Sequence, residues 1–162
     1  MSMIIDGTNG LTFNNATTQA SAGQVLQVVN ATYSTAVSTS TPGSFVATGL
    51  TATITPKFST SKILVLVNQN GGYDGSSIYS GLCLNLYRGS TFLVGTNSIG
   101  NTGNQTSAHY LPPIVYSYLD SPATTSATTY STKFANQEFG GGTVTLQLSS
   151  QISTITLMEI AS

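Results

Sequence analysis

Few side chains in this sequence are equipped for chemistry. Among 162 residues there is one histidine, His109, and one cysteine, Cys83. A thiol and an imidazole act as nucleophile and base only if folding sets them within hydrogen-bond reach. Cys83 sits inside an alternating apolar run and His109 stands shortly before Pro112-Pro113, so they read as a small strand residue and a loop residue. No second histidine stands at ligand spacing and no Cys, His or carboxylate cluster is visible, so neither a metal nor a cofactor is expected. The five carboxylates are Asp6, Asp74, Asp120, Glu138 and Glu159. Glycoside hydrolysis needs two of them about 5 to 9.5 Å apart in a cleft, and Asp120 with Glu138 is the pair that folding would have to bring together. Asp74, in Gly71-Gly72-Tyr73-Asp74-Gly75, has the oxygen donors of a calcium ligand, while an Asp-Gly turn accounts for it with less. No residue is assigned a catalytic role. Tyr73, Tyr79, His109 and Tyr110 lie in two stretches, 68–80 and 97–113, rich in Asn, Gln, Ser and Thr. Aromatic faces beside amides and hydroxyls suit a neutral glycan, so these four are the candidate contacts with one.

Loops of that length must be carried by something rigid, and the pattern around them is that of strands. Period-two alternation with β-branched enrichment runs along the chain, and no window of 11 or more residues carries a helical stripe. The candidate strands are 24–30, 44–50, 52–55, 62–68, 82–88, 91–95, 114–119, 128–134, 143–149 and 154–160, separated by Gly, Pro, Asn and Ser clusters. About ten short strands so spaced predict an all-β, antiparallel sandwich or barrel. Leu82, Leu84 and Leu86 alternate with Cys83, Asn85 and Tyr87, and Val144, Leu146 and Leu148 with Thr143, Thr145 and Gln147, so each run buries one face. Two runs depart from that rule. Ile63 to Val67 is apolar throughout, and Thr154 to Ile160 has Ile155 and Leu157 on one face but Met158 and Ile160 on the other. Both faces of these strands are expected to be covered, by a crossing segment of the same chain or by another chain. Arg88-Gly89-Ser90 reads as a tight hairpin turn in which Gly supplies the positive φ.

Charge excludes several classes of partner. Only 6% of residues are charged, against about 25% in ordinary domains, and Ser with Thr make up about 30%. Lys57, Lys62, Arg88 and Lys133 are too few and too scattered to neutralise a run of phosphates, so no nucleic acid is expected as a partner. The longest apolar run is Ile63 to Val67, far below the roughly 20 residues of a membrane span, so no membrane insertion and no signal peptide are expected. A single cysteine excludes an internal disulfide. So sparsely charged a surface predicts that part of it is hidden in an oligomer.

The first 23 residues differ from the rest. Ile4, Ile5, Leu11 and Phe13 are their only sizeable apolar side chains, among Asn, Ala, Thr, Gln, Ser and Gly without core periodicity. Residues 1–23 therefore read as an extended docking arm with those four as anchors, and residues 24–162 as the β domain. Gly7-Thr8-Asn9-Gly10-Leu11-Thr12-Phe13-Asn14-Asn15-Ala16-Thr17-Thr18-Gln19 resembles a short stretch of tailed-bacteriophage fibre and fibre-like virion proteins. Gly23 to Val29, Ser61 to Val65 and Ser117 to Pro122 are similar to a β-rich module of phage structural proteins. The resemblance implies a trimeric, jelly-roll-like β-sandwich whose arm attaches to other virion proteins and whose loops face outward. The expectation is then a non-enzymatic virion protein, made in the host cytoplasm: a small homotrimeric fibre or receptor-binding appendage, in which the four loop residues meet a host surface glycan. The alternatives are a capsid decoration or cement protein and, more remotely, a polysaccharide-degrading enzyme.

Overall fold

The computed structural model describes residues 24–72, 81–96, 112–136 and 142–161 in full, and the backbone of 4–6, 10–12, 18–19, 73–74, 97–99 and 109–110. Three short strands of the arm, β1 (Ile4–Asp6), β2 (Gly10–Thr12) and β3 (Thr18–Gln19), pair with one another. Then follow β4 (Val25–Tyr33), β5 (Val37–Thr39), β6 (Val46–Ile54), β7 (Lys62–Gln69), β8 (Tyr73–Asp74), β9 (Leu82–Arg88), β10 (Thr91–Ile99), β11 (His109–Tyr110), β12 (Ile114–Asp120), β13 (Thr128–Asn136), β14 (Val144–Leu146) and β15 (Ser153–Ile160). Among the described residues no helix is long and apolar enough to cross a membrane.

The long strands form two antiparallel sheets, β12-β7-β15-β4 and β10-β9-β13-β6. Counting only these strands, from first to eighth, the sheets read 6-3-8-1 and 5-4-7-2. That connectivity is a jelly roll, in which chain-adjacent strands, the β9-β10 hairpin apart, cross between sheets and the first strand pairs with the last. Alternation explains it locally. Ile63, Val65 and Val67, Ile155 and Leu157, and Ile114 and Tyr116 face inward from the first sheet. Leu82, Leu84 and Leu86, Tyr130 and Phe134, and Leu50 and Ile54 meet them from the second. These side chains are almost entirely removed from water, which at about 25 cal/mol per Å² of apolar surface is the main force joining the sheets.

Most of the expected strands are present, and the departures have physical causes. Segments 44–50 and 52–55 form one strand, β6, because a bulge opposite Ser131 and Lys133 absorbs the broken alternation. Gly49 provides it with φ of 87°, and a Cβ there would stand 2.2 Å from Cζ of Tyr33. Thr48 repairs the interrupted ladder: its hydroxyl accepts from Leu50 N at 3.0 Å and lies 2.6 Å from Oγ1 of Thr132. The strand expected over 143–149 stops at Leu146, since Gln147 adopts φ 51° and turns its side chain into the interior. Gly89 has φ of 55° in the two-residue turn that pairs Arg88 with Thr91, as the sequence predicts. Strand β5 was not visible in the pattern.

Candidate functional site

The two ends of the sandwich are built differently. At one end the connections are short: 55–61, 89–90 and 121–127. At the other they are long: 34–45, 70–81, 100–113 and 137–152. Each long connection contributes one short strand to a further antiparallel sheet, in the order β11-β8-β14-β5. Val144 and Leu146 of β14 are fully buried in the core, so this sheet closes that end of the sandwich.

Three devices hold the long connections. Asn136, fully buried at the end of β13, accepts at its side-chain oxygen from Gly81 N (3.4 Å), donates from its amide to Gly142 O (2.9 Å), and accepts at its backbone carbonyl from Gly43 N (3.0 Å). One residue thereby ties three of the four connections. A buried polar chain comes next: Thr132 donates to Gln69 (3.1 Å), and Ser153 Oγ accepts from Gln69 Nε2 (2.8 Å), Gln147 Nε2 (3.2 Å) and Asn70 N (3.0 Å). The third device is backbone conformation. Gln147, Ser149 and Ser150 all have φ between 51° and 60°, a region costing a non-glycine residue roughly 1 kcal/mol or more and concentrated at functional positions.

Beside this strained turn lies a cleft of about 210 Å³, lined by Asn70, Gly71, Gly72, Pro113, Leu148, Ser149 and Gln151. Gly72 is required there, because a Cβ would fall 1.7 Å from the Thr145 carbonyl oxygen. The lining combines peptide, amide and hydroxyl groups with two apolar walls and no charged side chain, a surface suited to a neutral, hydroxyl-bearing ligand.

Three of the expected contact residues come together in this end sheet: Tyr110 pairs with Tyr73, and His109 with Asp74. The side chains of these four lie outside the described residues, as do Tyr79, Phe13 and Glu138 altogether. Ile4, Ile5 and Leu11 are described as backbone in β1 and β2. Cys83 lies opposite Ala135 in a main sheet, and His109 in the separate end sheet. Asn136, Gln147, Ser149 and Ser153 were missed by sequence reasoning. Alternation carries no signal for buried polar residues whose partners stand on other connections, as for Asn136 with Gly81 and Ser153 with Gln69.

The short-loop end holds the two buried carboxylates of the described residues. Arg88 Nη1 donates to both oxygens of Asp120 at 2.8 Å, and the Tyr130 hydroxyl donates to Asp120 at 2.7 Å. Burial, with the hydrogen bond to Asp120 and its negative charge, pushes the Tyr130 phenol well above its ordinary range. Glu159 accepts from Gln27 Nε2 (2.5 Å), Lys57 N (2.7 Å) and Phe58 N (3.4 Å). Burial alone would raise its carboxyl, but these donors prevail and hold it below the usual range. Both carboxylates are committed to structure, and among the described residues no group of three or more His, Cys, Asp or Glu is placed to hold a metal ion.

Strand order defines the chain as a jelly-roll β-sandwich. No protein-family model matches it, and comparison with curated proteins yields no match. Among solved structures it is similar to infectious bursal disease virus VP2 in a subviral particle, at 12% identity and a TM-score of 0.44 over 91% of this chain and 40% of that one. T=1 particles derived from infectious bursal virus match at 9% identity and a TM-score of 0.34, over 98% and 44%. The chain thus spans less than half the length of these proteins. Likeness at this level defines no shared role, and the fold assignment rests on strand order alone.

Proposed function

We propose that this protein is a non-enzymatic structural component of a phage particle, a small trimeric fibre or receptor-binding appendage held to the virion by its N-terminal arm. The observation that carries this reading is polarity. The chain enters β4 at Val25 and leaves β15 at Ile160 side by side, Ala161 N donating to Gln24 O at 2.9 Å, at the short-loop end where Asp120 and Glu159 are locked. The four long connections gather at the opposite end. An appendage needs this layout, with a rigid attached base and a distal surface of loops on a firm scaffold. The jelly roll adds an analogy, since viral capsid and lectin domains use it among others. The uncharged cleft at the distal end favours a neutral sugar of a host surface glycan over an anionic ligand.

The test is made on phage carrying Tyr73→Ala together with Tyr110→Ala, partners across the β8-β11 ladder. Adsorption to host cells should fall about tenfold, the effect of losing modest contact residues, while the melting temperature of the protein stays nearly constant. Unchanged adsorption, together with heat-fragile or osmotically fragile heads when the whole protein is removed, would reject this reading in favour of capsid decoration or cement.

A further inference from the structure

We infer that copies of this chain associate through the outer face of the β12-β7-β15-β4 sheet, three such faces closing around a common axis. The number three rests on the functional reading above, whereas the face itself follows from register and exposure. Leu119, Leu64, Met158 and Val28 lie side by side across all four strands. Leu66 and Ile160 flank that row on the same face. In the single chain Val28 is 55% and Leu119 51% exposed, and the central residues are only half-buried. The strands that are apolar on both sides are therefore covered on one side alone.

The other sheet shows what a solvated outer face of this protein looks like. Its corresponding rows are Thr51-Ser131-Tyr87-Phe92 and Ala47-Lys133-Asn85-Gly95, with the Lys133 ammonium 4.7 Å above the Tyr87 ring. An antiparallel sandwich exposed to water on both outer faces is polar on both. The row Leu119-Leu64-Met158-Val28 departs from this rule, beside the more polar row Ser117-Leu66-Thr156-Asn30 on the same face.

Charge and dimensions point to another copy as the occupant. Lys62, at the margin, is the sole charged residue on the face, while Asp120 and Glu159 point inward, so a strongly acidic or basic partner finds no counter-charge. Four strands about 4.8 Å apart and about eight residues long give a face of roughly 19 by 27 Å. That is about 510 Å² before side-chain relief, divided between two neighbours, so each pairwise contact lies at the small end of specific interfaces. Three sheets about 19 Å wide, set as a triangular prism, each stand about 5.5 Å from the axis, close to the ~5 Å that one sheet's side chains fill when two sheets pack about 10 Å apart. Four sheets would leave an open channel. In the prism Leu64 and Met158 meet at the axis, and Val28 on edge strand β4 of one copy meets Leu119 on edge strand β12 of the next, a head-to-tail contact that closes. The arm is a poorer occupant, because its described strands pair with each other and none joins β4.

The test uses the full chain and light scattering at tens of micromolar. Wild type should have three times the 16.8 kDa chain mass. Val28→Glu and Leu119→Lys should each yield single chains with an unchanged circular dichroism spectrum, since both side chains are already half-exposed. The double variant should recover the trimer. Within one copy the two positions stand about 14 Å apart, beyond a Debye length, so recovery reports pairing between copies. A dimeric wild type, or a double variant that stays monomeric, would overturn the three-fold arrangement. A trimer that both single variants leave intact would overturn the face and spare the functional reading. A monomeric wild type, as when the chain's own arm covers the sheet, would overturn both the face and the trimer.

Discussion

Glu159 shows how much one side chain contributes when its partners are scattered along the chain. Its three donors come from Gln27, Lys57 and Phe58, and together they tie β4, β15 and the 55–61 connection into one corner. Because the folded-state pKa lies below the ordinary 4.5, the folded protein binds fewer protons than the unfolded chain in this range. The stabilisation is complete above about 4.5 and is lost as pH falls through the lower folded value. Glu159→Gln should therefore destabilise the protein by about 2 kcal/mol at neutral pH, charge-assisted bonds being replaced by weaker ones. The gap should narrow as pH falls below 4.5, as read from urea midpoints at pH 7 and at successively lower pH. Two glycines make a second comparison. At Gly49 an added methyl meets the Tyr33 ring with φ at 87°, whereas at Gly89, with φ 55°, it meets nothing within 4 Å. Gly49→Ala should cost about 3 kcal/mol or more and Gly89→Ala about 1, measured as shifts in denaturation midpoint with unchanged slope. The turn at Gly89 was legible because its signal is local. The Glu159 corner was not, because its meaning depends on residues more than 100 positions away.

Strands were legible where alternation ran for five residues or more, as in Leu82–Arg88 and Ile114–Asp120, although the alternation over 143–149 overran the strand it marks, β14. Pattern failed where elements were too short to show alternation: strands β5, β8 and β11 have two or three residues each and, with β14, form a sheet where four connections meet. The 68–80 and 97–113 stretches were recognised as long loops, but not that they pair through Tyr73 and Tyr110. What secures this end is Asn136, so Asn136→Leu should leave the two main sheets folded and the backbone bond to Gly43 in place while releasing the connections at 81 and 142, which its side chain holds. We expect a loss of about 3 kcal/mol from stranded buried partners. Limited proteolysis should cut within 70–81 and 137–152 faster than in wild type, with the Arg88 hairpin intact.

For the whole molecule, the division of labour between the ends predicts that the arm is separable. Residues 1–23 contribute no strand to either main sheet among the described residues. Deleting them should leave a cooperative thermal transition within a few degrees of the full chain and abolish incorporation into particles, scored by the protein's presence in purified phage. Loss of cooperativity would place the arm in the core or in the seam between copies. The pairing of the first long strand with the last bears also on how the protein is made. Strand β15 lies between β7 and β4, so until residues 153–160 have left the ribosome both neighbours carry an open edge. Neither β4 nor β7 has its full set of partners before then, and pairings of such sequence separation form slowly. Folding of this sheet thus waits for β15, and a product truncated before it leaves β4 and one edge of β7 open to its neighbours, a template for aggregation in place of assembly.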